Sequence, residues 1–526
     1  MTKKKEDLII TILCLMIFLL GFLLANRIWF RLDMTHDKSY TLSEFSRNLY
    51  LEIPDRISIT YFVSSRLSSS YPVPGEIADM LREFAAHSRG RIHFIQRDPS
   101  DDGLSRIVEN LGILPWQIQV TERNEITHAT VYSGILIEYL DREEIIPLVF
   151  SLDTLEYDLS SRIMSLVRNN IREVGIITGD PMADWYMDYS LLNYALVLSG
   201  FRPLLLAPGI SIPFSLPCVF VLGGMEYLDE YHLSPIDEYI MSGGNVLFAL
   251  NGVHVDAWGS LDARPVYDRG ILAMLANYGV ILHRVLVLDR ASLNLTFQTH
   301  GEDGTRIQSV RYPPWIAVQE TGINQEHPLS VMTLGPDFFW PSPLELLPPP
   351  GISADVLYKS SREAWLQTHN FITNPNFVSQ FEDERALSQG EKILALALWG
   401  NFPSAFETEY VFAHRPSRMV VIGDVNFAGS LMQTTQSEDR NLEILVRSAI
   451  WLSGEDELLS LRTGSQSGRL DRILDADMRA AFMSFSRMLN TFIIPLLVIL
   501  SGIIIIKSRS SSGRSGRKKD RAELND

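Results

Sequence analysis

VFVLGGMEYLDEYHLSPIDEYIMSGGNVLFAL, Val219 to Leu250, holds two short apolar runs with a marked helix between them. Val219 to Leu222 and Val246 to Leu250 are continuous rather than alternating, which predicts strands buried on both faces, as in a parallel sheet. Between them Ser234 stands as an N-cap and Pro235 at the first helical position. Asp237 and Glu238 fall in the first turn, and Gly243-Gly244 at the stop. Strand, helix and strand in this order predict an α/β domain.

The same pattern extends outward. Val174 to Thr178, Val285 to Leu288, Ile393 to Trp399 and Met419 to Ile422 are further short apolar runs, read as buried parallel strands. Asp188 to Ser199, closed by Gly200, and Arg440 to Ser453, closed by Gly454, read as helices, the second packing Leu442, Leu445, Val446 and Ala449. Together they predict a parallel-sheet α/β domain of flavodoxin- or amidotransferase-like type over residues 171–455. The stretch from Gly301 to Phe381 is rich in Pro and aromatics, with Pro348, Pro349 and Pro350 consecutive, and predicts an irregular insertion with a few strands over about 300–385.

Residues 26–170 read as a smaller domain. Thr41 with Glu44 forms a capping box, Tyr40 and Phe45 sit at staple positions, and the helix starts at Leu42 and stops before Pro54. Then come a strand at Ile57 to Val63, a Ser-rich loop from Ser64 to Ser70, a helix from Glu76 to Ser88, and a strand at Arg91 to Arg97. A helix near Leu104 to Leu111, paired strands at Gly134 to Leu140 and Glu143 to Val149, and a helix from about Leu155 to Asn169 complete it. The order β-α-β-α-β-β-α is thioredoxin-like. Thioredoxin chemistry needs a Cys-x-x-Cys after the first strand, and Ser64, Ser65 and Arg66 stand there, so redox activity is excluded for want of a nucleophile.

Both ends carry charge-free apolar runs. Leu8 to Ala25 reaches roughly 27 Å as a helix, close to a bilayer core. It lacks the small-residue exit of a cleaved signal peptide. Met488 to Ile506 is the second, entered by a linker and helical stalk over 456–487 whose amphipathic part begins at Leu470. Lys3 to Lys5 and the tail 507–526, with seven Lys or Arg against three acids, predict that both termini are cytoplasmic. Two spans then put the main body on the extracytoplasmic side of the cytoplasmic membrane. The expected class is α/β, with two membrane helices flanking a thioredoxin-like domain and a larger parallel-sheet domain.

Charge narrows the partners. The chain of 526 residues carries −17; residues 1–7 hold +1 and 507–526 hold +4, leaving −22 on the rest. That is the wrong sign for nucleic acid. Cys14 lies inside the first run and Cys218 begins another, which excludes a disulfide framework or a thiolate metal site within one chain. No Gly-x-x-x-x-Gly-Lys-Ser/Thr string exists, so nucleotide hydrolysis through a P-loop is excluded, and Ser242-Gly243-Gly244 is a helix stop.

In an open parallel sheet ligands bind beyond the carboxyl ends of the strands. The loops after Thr178, Leu222, Leu250 and Ile422 are therefore the ones that matter. The first carries Asp180, Asp184 and Trp185, and the last Asp424 and Asn426, residues suited to a saccharide or peptide and equally to Asx turns and caps. His254, Asp256 and Trp258 form a third group without the convergent ligands a metal needs. Cys218 follows Pro217 at the start of its strand and cannot serve as a nucleophile elbow. No catalytic residue, cofactor or metal is expected.

Several strings, in order along the chain, carry a resemblance: Asp33 to Ser43, Arg97-Asp98-Pro99, Leu114-Pro115-Trp116-Gln117-Ile118 and Leu155-Glu156-Tyr157-Asp158-Leu159. They continue in Val421-Ile422-Gly423-Asp424 with Phe427-Ala428, and in Ala449-Ile450-Trp451-Leu452. Taken together the chain resembles the GldG-type auxiliary components of ABC transporters, named for gliding motility. The resemblance implies a non-enzymatic membrane subunit beside a separate ABC permease and ATPase, with an extracytoplasmic substrate or envelope partner. Relatives often carry a Gly-His-Gly-Glu turn where this chain has Gly179, Asp180, Pro181 and Met182, so no ligand role transfers to that loop. The alternative is an extracytoplasmic enzyme or binding protein acting on envelope saccharide or peptide.

Overall fold

Ser43 opens the described part of the chain by capping a helix. Its Oγ accepts from Ser46 N at 3.1 Å, while its own N–H is taken by Glu156 Oε1 at 2.8 Å. In this computed structural model the described residues are 42–464, apart from 101–102, 123–124, 170, 302–303, 333, 382–387, 407–411 and 436–437. The expected apolar spans, the stalk from Leu470, the basic tail and the Thr41 box lie outside them. Among the described residues no helix is long and apolar enough to cross a membrane.

The first helix, α1 (Glu44–Glu52), therefore starts two residues later than expected, and the other half of its box is a glutamate distant in sequence. It is followed by β1 (Ile57–Val63), α2 (Ser65–Ser70), α3 (Val73–His87), β2 (Ile92–Arg97) and α4 (Leu104–Asn110). The hairpin β3 (Trp116–Glu122) and β4 (Glu125–Val131), then β5 (Ser133–Tyr139), β6 (Arg142–Ile146) and α5 (Leu155–Arg168), complete this part. The Ser-rich loop is in fact α2: Ser69 and Ser70 hydroxyls bond back to Arg66 O at 2.9 and 2.8 Å, and Leu67 is buried. The sheet order is β2-β1-β5-β6, with β1 parallel to β2 and the other pairs antiparallel. The β3–β4 hairpin is a separate ribbon that the element order did not announce.

The second part runs β7 (Glu173–Thr178), α6 (Ser190–Leu198), β8 (Arg202–Leu205), β9 (Cys218–Leu222), α7 (Glu230–Met241) and β10 (Asn245–Ala249). Next are β11 (Val253–Val255), β12 (Ala263–Pro265), α8 (Ile271–Asn277), β13 (Val280–Leu282), β14 (Leu286–Leu288), β15 (Ser292–Gly301) and β16 (Gly304–Ala317). It ends with β17 (Asp337–Phe339), β18 (Leu344–Leu346), β19 (Ile352–Lys359), β20 (Trp365–Gln367), β21 (Ile393–Gly400), β22 (Ser417–Ile422), α9 (Glu438–Leu452) and α10 (Asp456–Gly464). Strands β8-β7-β9-β10-β22 are parallel neighbours. Numbered along the domain that is 2-1-3-4-5, one of the doubly wound orders.

Both faces of this sheet are covered, which is why its strands are continuously apolar. Phe220, Leu222, Leu247 and Val420 pack with Leu445, Val446 and Ala449 of α9. Val219, Val221, Phe248 and Val421 pack with Leu233, Ile236 and Tyr239 of α7 and Met274 of α8.

Five further expectations need correction. Helix α7 is capped by Asp229, whose side chain accepts from His232 N, so Ser234 and Pro235 lie inside it. The reason is that Asp229 offers a carboxylate one turn earlier than Ser234 offers a hydroxyl. Val285 to Leu288 is not in the parallel sheet: β14 pairs antiparallel with β20. Ile393 to Trp399 is in the sheet but antiparallel to β22, with β18 and β19 continuing that edge. The stretch about 300–385 is built of paired strands, including the β15–β16 hairpin, and Asp456–Gly464 is a helix where a linker was expected.

Candidate functional site

The strands β7, β9, β10 and β22 end at one level, tied by Gly179 N to Leu222 O at 2.9 Å, Gly223 N to Ala249 O at 2.9 Å and Leu250 N to Ile422 O at 3.0 Å. Just beyond, a cleft of about 420 Å³ is lined from the loops after all four strands and from the β11–β12 hairpin. It lies at the switch between the first and third strands of the doubly wound order, where such sheets bind ligands.

The floor is backbone. A Cβ on Gly179 would stand 2.4 Å from Gly224 Cα and 2.6 Å from Gly223 O, and Gly224 itself has φ +102°. Only glycine lets the two loops touch there. Rising from that floor are Asp180, Asp188, Glu226 and Asp256, with Arg264, His254, Asn251 and Asn426, and the indole of Trp258 at the rim, 72 % exposed.

Each acid holds local backbone. Asp180 Oδ1 accepts from Met182 N at 2.8 Å, and Asp188 Oδ2 from Asp184 N at 2.8 Å. Asp256 Oδ2 accepts from Ser260 N at 2.8 Å, and this bond holds its carboxyl below the usual range. Glu226 is clamped bidentately by Arg264, through Nη1 and through Nη2 at 2.9 Å, and also accepts from Tyr267 N at 3.0 Å. The hydrogen bonds from Arg264 lead in pulling the Glu226 carboxyl down to about 2.

Of the residues singled out from the sequence, Asp180 and Asn426 line the cleft together. Asp184 does not; its Oδ1 accepts from Tyr186 and Met187 N–H groups in an Asx turn. Trp185 is buried, donates Nε1–H to Asn193 Oδ1 at 3.2 Å and stacks on Tyr189 with centroids 6.0 Å apart. Asp424 lies fully buried beneath the loop it begins, accepting from Phe339 N at 2.6 Å and Asn426 N at 2.8 Å. Burial lifts its carboxyl to about 7 against those bonds.

The His254, Asp256 and Trp258 group, by contrast, does face the cleft. Glu226, Asp188 and Arg264 were missed. The Gly223-Gly224 after a predicted strand was the signal for Glu226, whereas Arg264 comes from a hairpin with no sequence mark. Among the described residues no three His, Cys, Asp or Glu converge to hold a metal. Cys218 is fully buried, and desolvation pushes its thiol up to about 12, so it is no nucleophile.

The family described as ABC-type uncharacterized transport system matches residues 172–448, and a domain of unknown function (DUF7088) matches 36–138. An uncharacterized protein of Borreliella burgdorferi is 23 % identical over 514 residues, covering 95 % of this chain and 98 % of that one. Among solved structures, the mmIFT52 N-terminal domain aligns with 53 % of this chain and 96 % of its own at 13 % identity and a TM-score of 0.31. A putative ThuA-like protein from Parabacteroides merdae aligns with 54 % and 91 % at 13 % identity and a TM-score of 0.28. Both likenesses are too loose to carry an argument.

Proposed function

We propose, from the premise that this chain belongs to the ABC-type uncharacterized transport system family, that it is a non-enzymatic auxiliary subunit of such a system, working with a separate permease and ATPase. The observation that carries this reading is the family match over residues 172–448, more than half of the chain. The absence of a P-loop string agrees with it, because nucleotide hydrolysis then belongs to another chain.

In its finer form the reading is of a GldG-type component. The charge-free runs at 8–25 and 488–506 are its two membrane spans, and the lysines at 3–5 and the basic tail keep both termini in the cytoplasm. The body then stands outside the cytoplasmic membrane and meets substrate or an envelope partner. Purification of the tagged full-length chain in mild detergent is expected to bring down an ABC ATPase and a polytopic permease. Protease added to intact spheroplasts beforehand is expected to remove the body. Repeated recovery of the chain alone overturns the partnership, and a protected body overturns the topology.

A second reading, an extracytoplasmic binding protein or enzyme for envelope saccharide or peptide, is favoured by the cleft at the strand ends. Asp180→Asn with Asn426→Ala tests it: unchanged envelope phenotype alongside intact complex formation sinks it.

A further inference from the structure

The cleft lining is unusual in charge even for this acidic chain. Its residues number 24 and include four carboxylates, Asp180, Asp188, Glu226 and Asp256, against the single guanidinium of Arg264. That is one net negative charge per eight residues. Residues 8–506 as a whole, with −22, carry one per about 23. The lining is therefore more acidic than the average of the body.

Arg264 is moreover spent on Glu226 in a bidentate pair, which leaves His254, beside Glu226 and Asp256, as the one other basic group of the described lining. The remaining acids are engaged by one oxygen each in the described hydrogen bonds, through Oδ1 of Asp180 and Oδ2 of Asp188 and Asp256. They do not converge as metal ligands do. Asn251, 7 % exposed and lining the cleft, commits its Nδ2 to Val253 O, and no described hydrogen bond uses its Oδ1. Dispersed acceptors around a cavity with an exposed indole at its rim suit an extended organic cation rather than a metal ion. The indole face adds cation–π attraction to such a group.

We infer that the cleft at the β7 and β9 strand ends binds a ligand bearing aliphatic ammonium groups. This rests on the second reading above, that the cleft is a ligand site. A free polyamine and the lysine side chain of a polypeptide present the same chemistry.

The test is isothermal titration calorimetry on the full-length chain in non-ionic detergent, with spermidine and tri-lysine as probes and maltotriose as a neutral one. Saturable binding of either amine is expected, weakened about tenfold or more when Asp180→Asn, Asp188→Asn and Asp256→Asn are combined. Because the Trp258 side chain is exposed, Trp258→Ala keeps the fold, and it is expected to weaken binding about threefold. Spermidine alone binding identifies the free amine, and tri-lysine alone the side chain of a polypeptide. No saturable binding of either amine overturns the inference, as does binding that both variants leave unchanged. Maltotriose binding without amine binding also removes it, while leaving the cleft a ligand site.

Discussion

Asp424 looks like a site residue in the sequence and is a structural one in the fold. Both its oxygens accept backbone N–H groups, one from Asn426 two residues on and one from Phe339 at the end of β17. The loop and the residue type were legible; the burial was not, because it depends on a strand 85 residues earlier. Its carboxyl, near 3.9 when unfolded, is raised to about 7 in the fold by burial. A raised carboxyl is a stabilising proton acceptor at low pH, so this contribution is complete below about 4 and lost as pH rises through about 7. Asp424→Asn cannot ionise, and its amide N–H₂ meets a backbone N–H. We expect a loss of stability on the order of 1–3 kcal/mol at pH 5, seen as a lower melting temperature, together with a flatter change between pH 5 and pH 8 than in the parent chain. Equal pH slopes in the two proteins refute this account. Asp184 and Trp185 teach the same lesson at shorter range, one closing a turn and the other stacking under Tyr189.

At the scale of elements, the apolar runs identified the buried strands, since two-sided burial demands them. They carried no information about direction: β21 is as apolar as β10 yet runs antiparallel to β22. Nor did they say which sheet a strand joins, as β14 illustrates. The paired strands of the 300–385 region hid behind prolines, two of which sit within β16 itself, at Pro313 and Pro314. Helix α7 was recognised but started in the wrong place, and that changes what Asp237 is for. It is a buried acceptor, taking Ser404 Oγ–H at 2.7 Å, Ala405 N–H at 3.0 Å and the Tyr278 hydroxyl just beyond α8. Asp237→Ala strands these donors in the interior. A loss of about 3–5 kcal/mol is expected by chemical denaturation, and a loss below 1 kcal/mol contradicts the assignment.

For the molecule as a whole, the two sheets do not form separate cores. One continuous apolar cluster contains Leu42, Ile59 and Ile137 of the first part and Phe220, Leu445 and Leu459 of the second. A buried arginine crosses the same seam, and buried ion pairs lie beside it. Arg172 meets Glu455 through Nε at 3.0 Å and Tyr157 Oη at 3.2 Å, while Glu443 takes Arg462 at 2.7 Å and Arg447 at 2.8 Å. Burial works against the Glu443 carboxylate, but the Arg462 and Arg447 guanidiniums prevail and keep it below the usual range. Glu443→Ala removes the carboxylate that two buried guanidiniums share and is expected to cost about 3–5 kcal/mol. Calorimetry is expected to record the two sheets melting in one transition, shifted down in this variant. Two well-resolved transitions in the parent chain refute the shared core. The Glu443–Arg447 pair has the i,i+4 spacing of a local helix pattern, whereas Arg172 finds Glu455 at a separation of 283 residues, which local pattern does not reveal.

Helices α1 and α10, the first and last of the described body, both pack against α5. Tension applied between residues 42 and 464 therefore reaches α5 from both ends, and through the contact of α10 with α9 it also reaches the larger sheet.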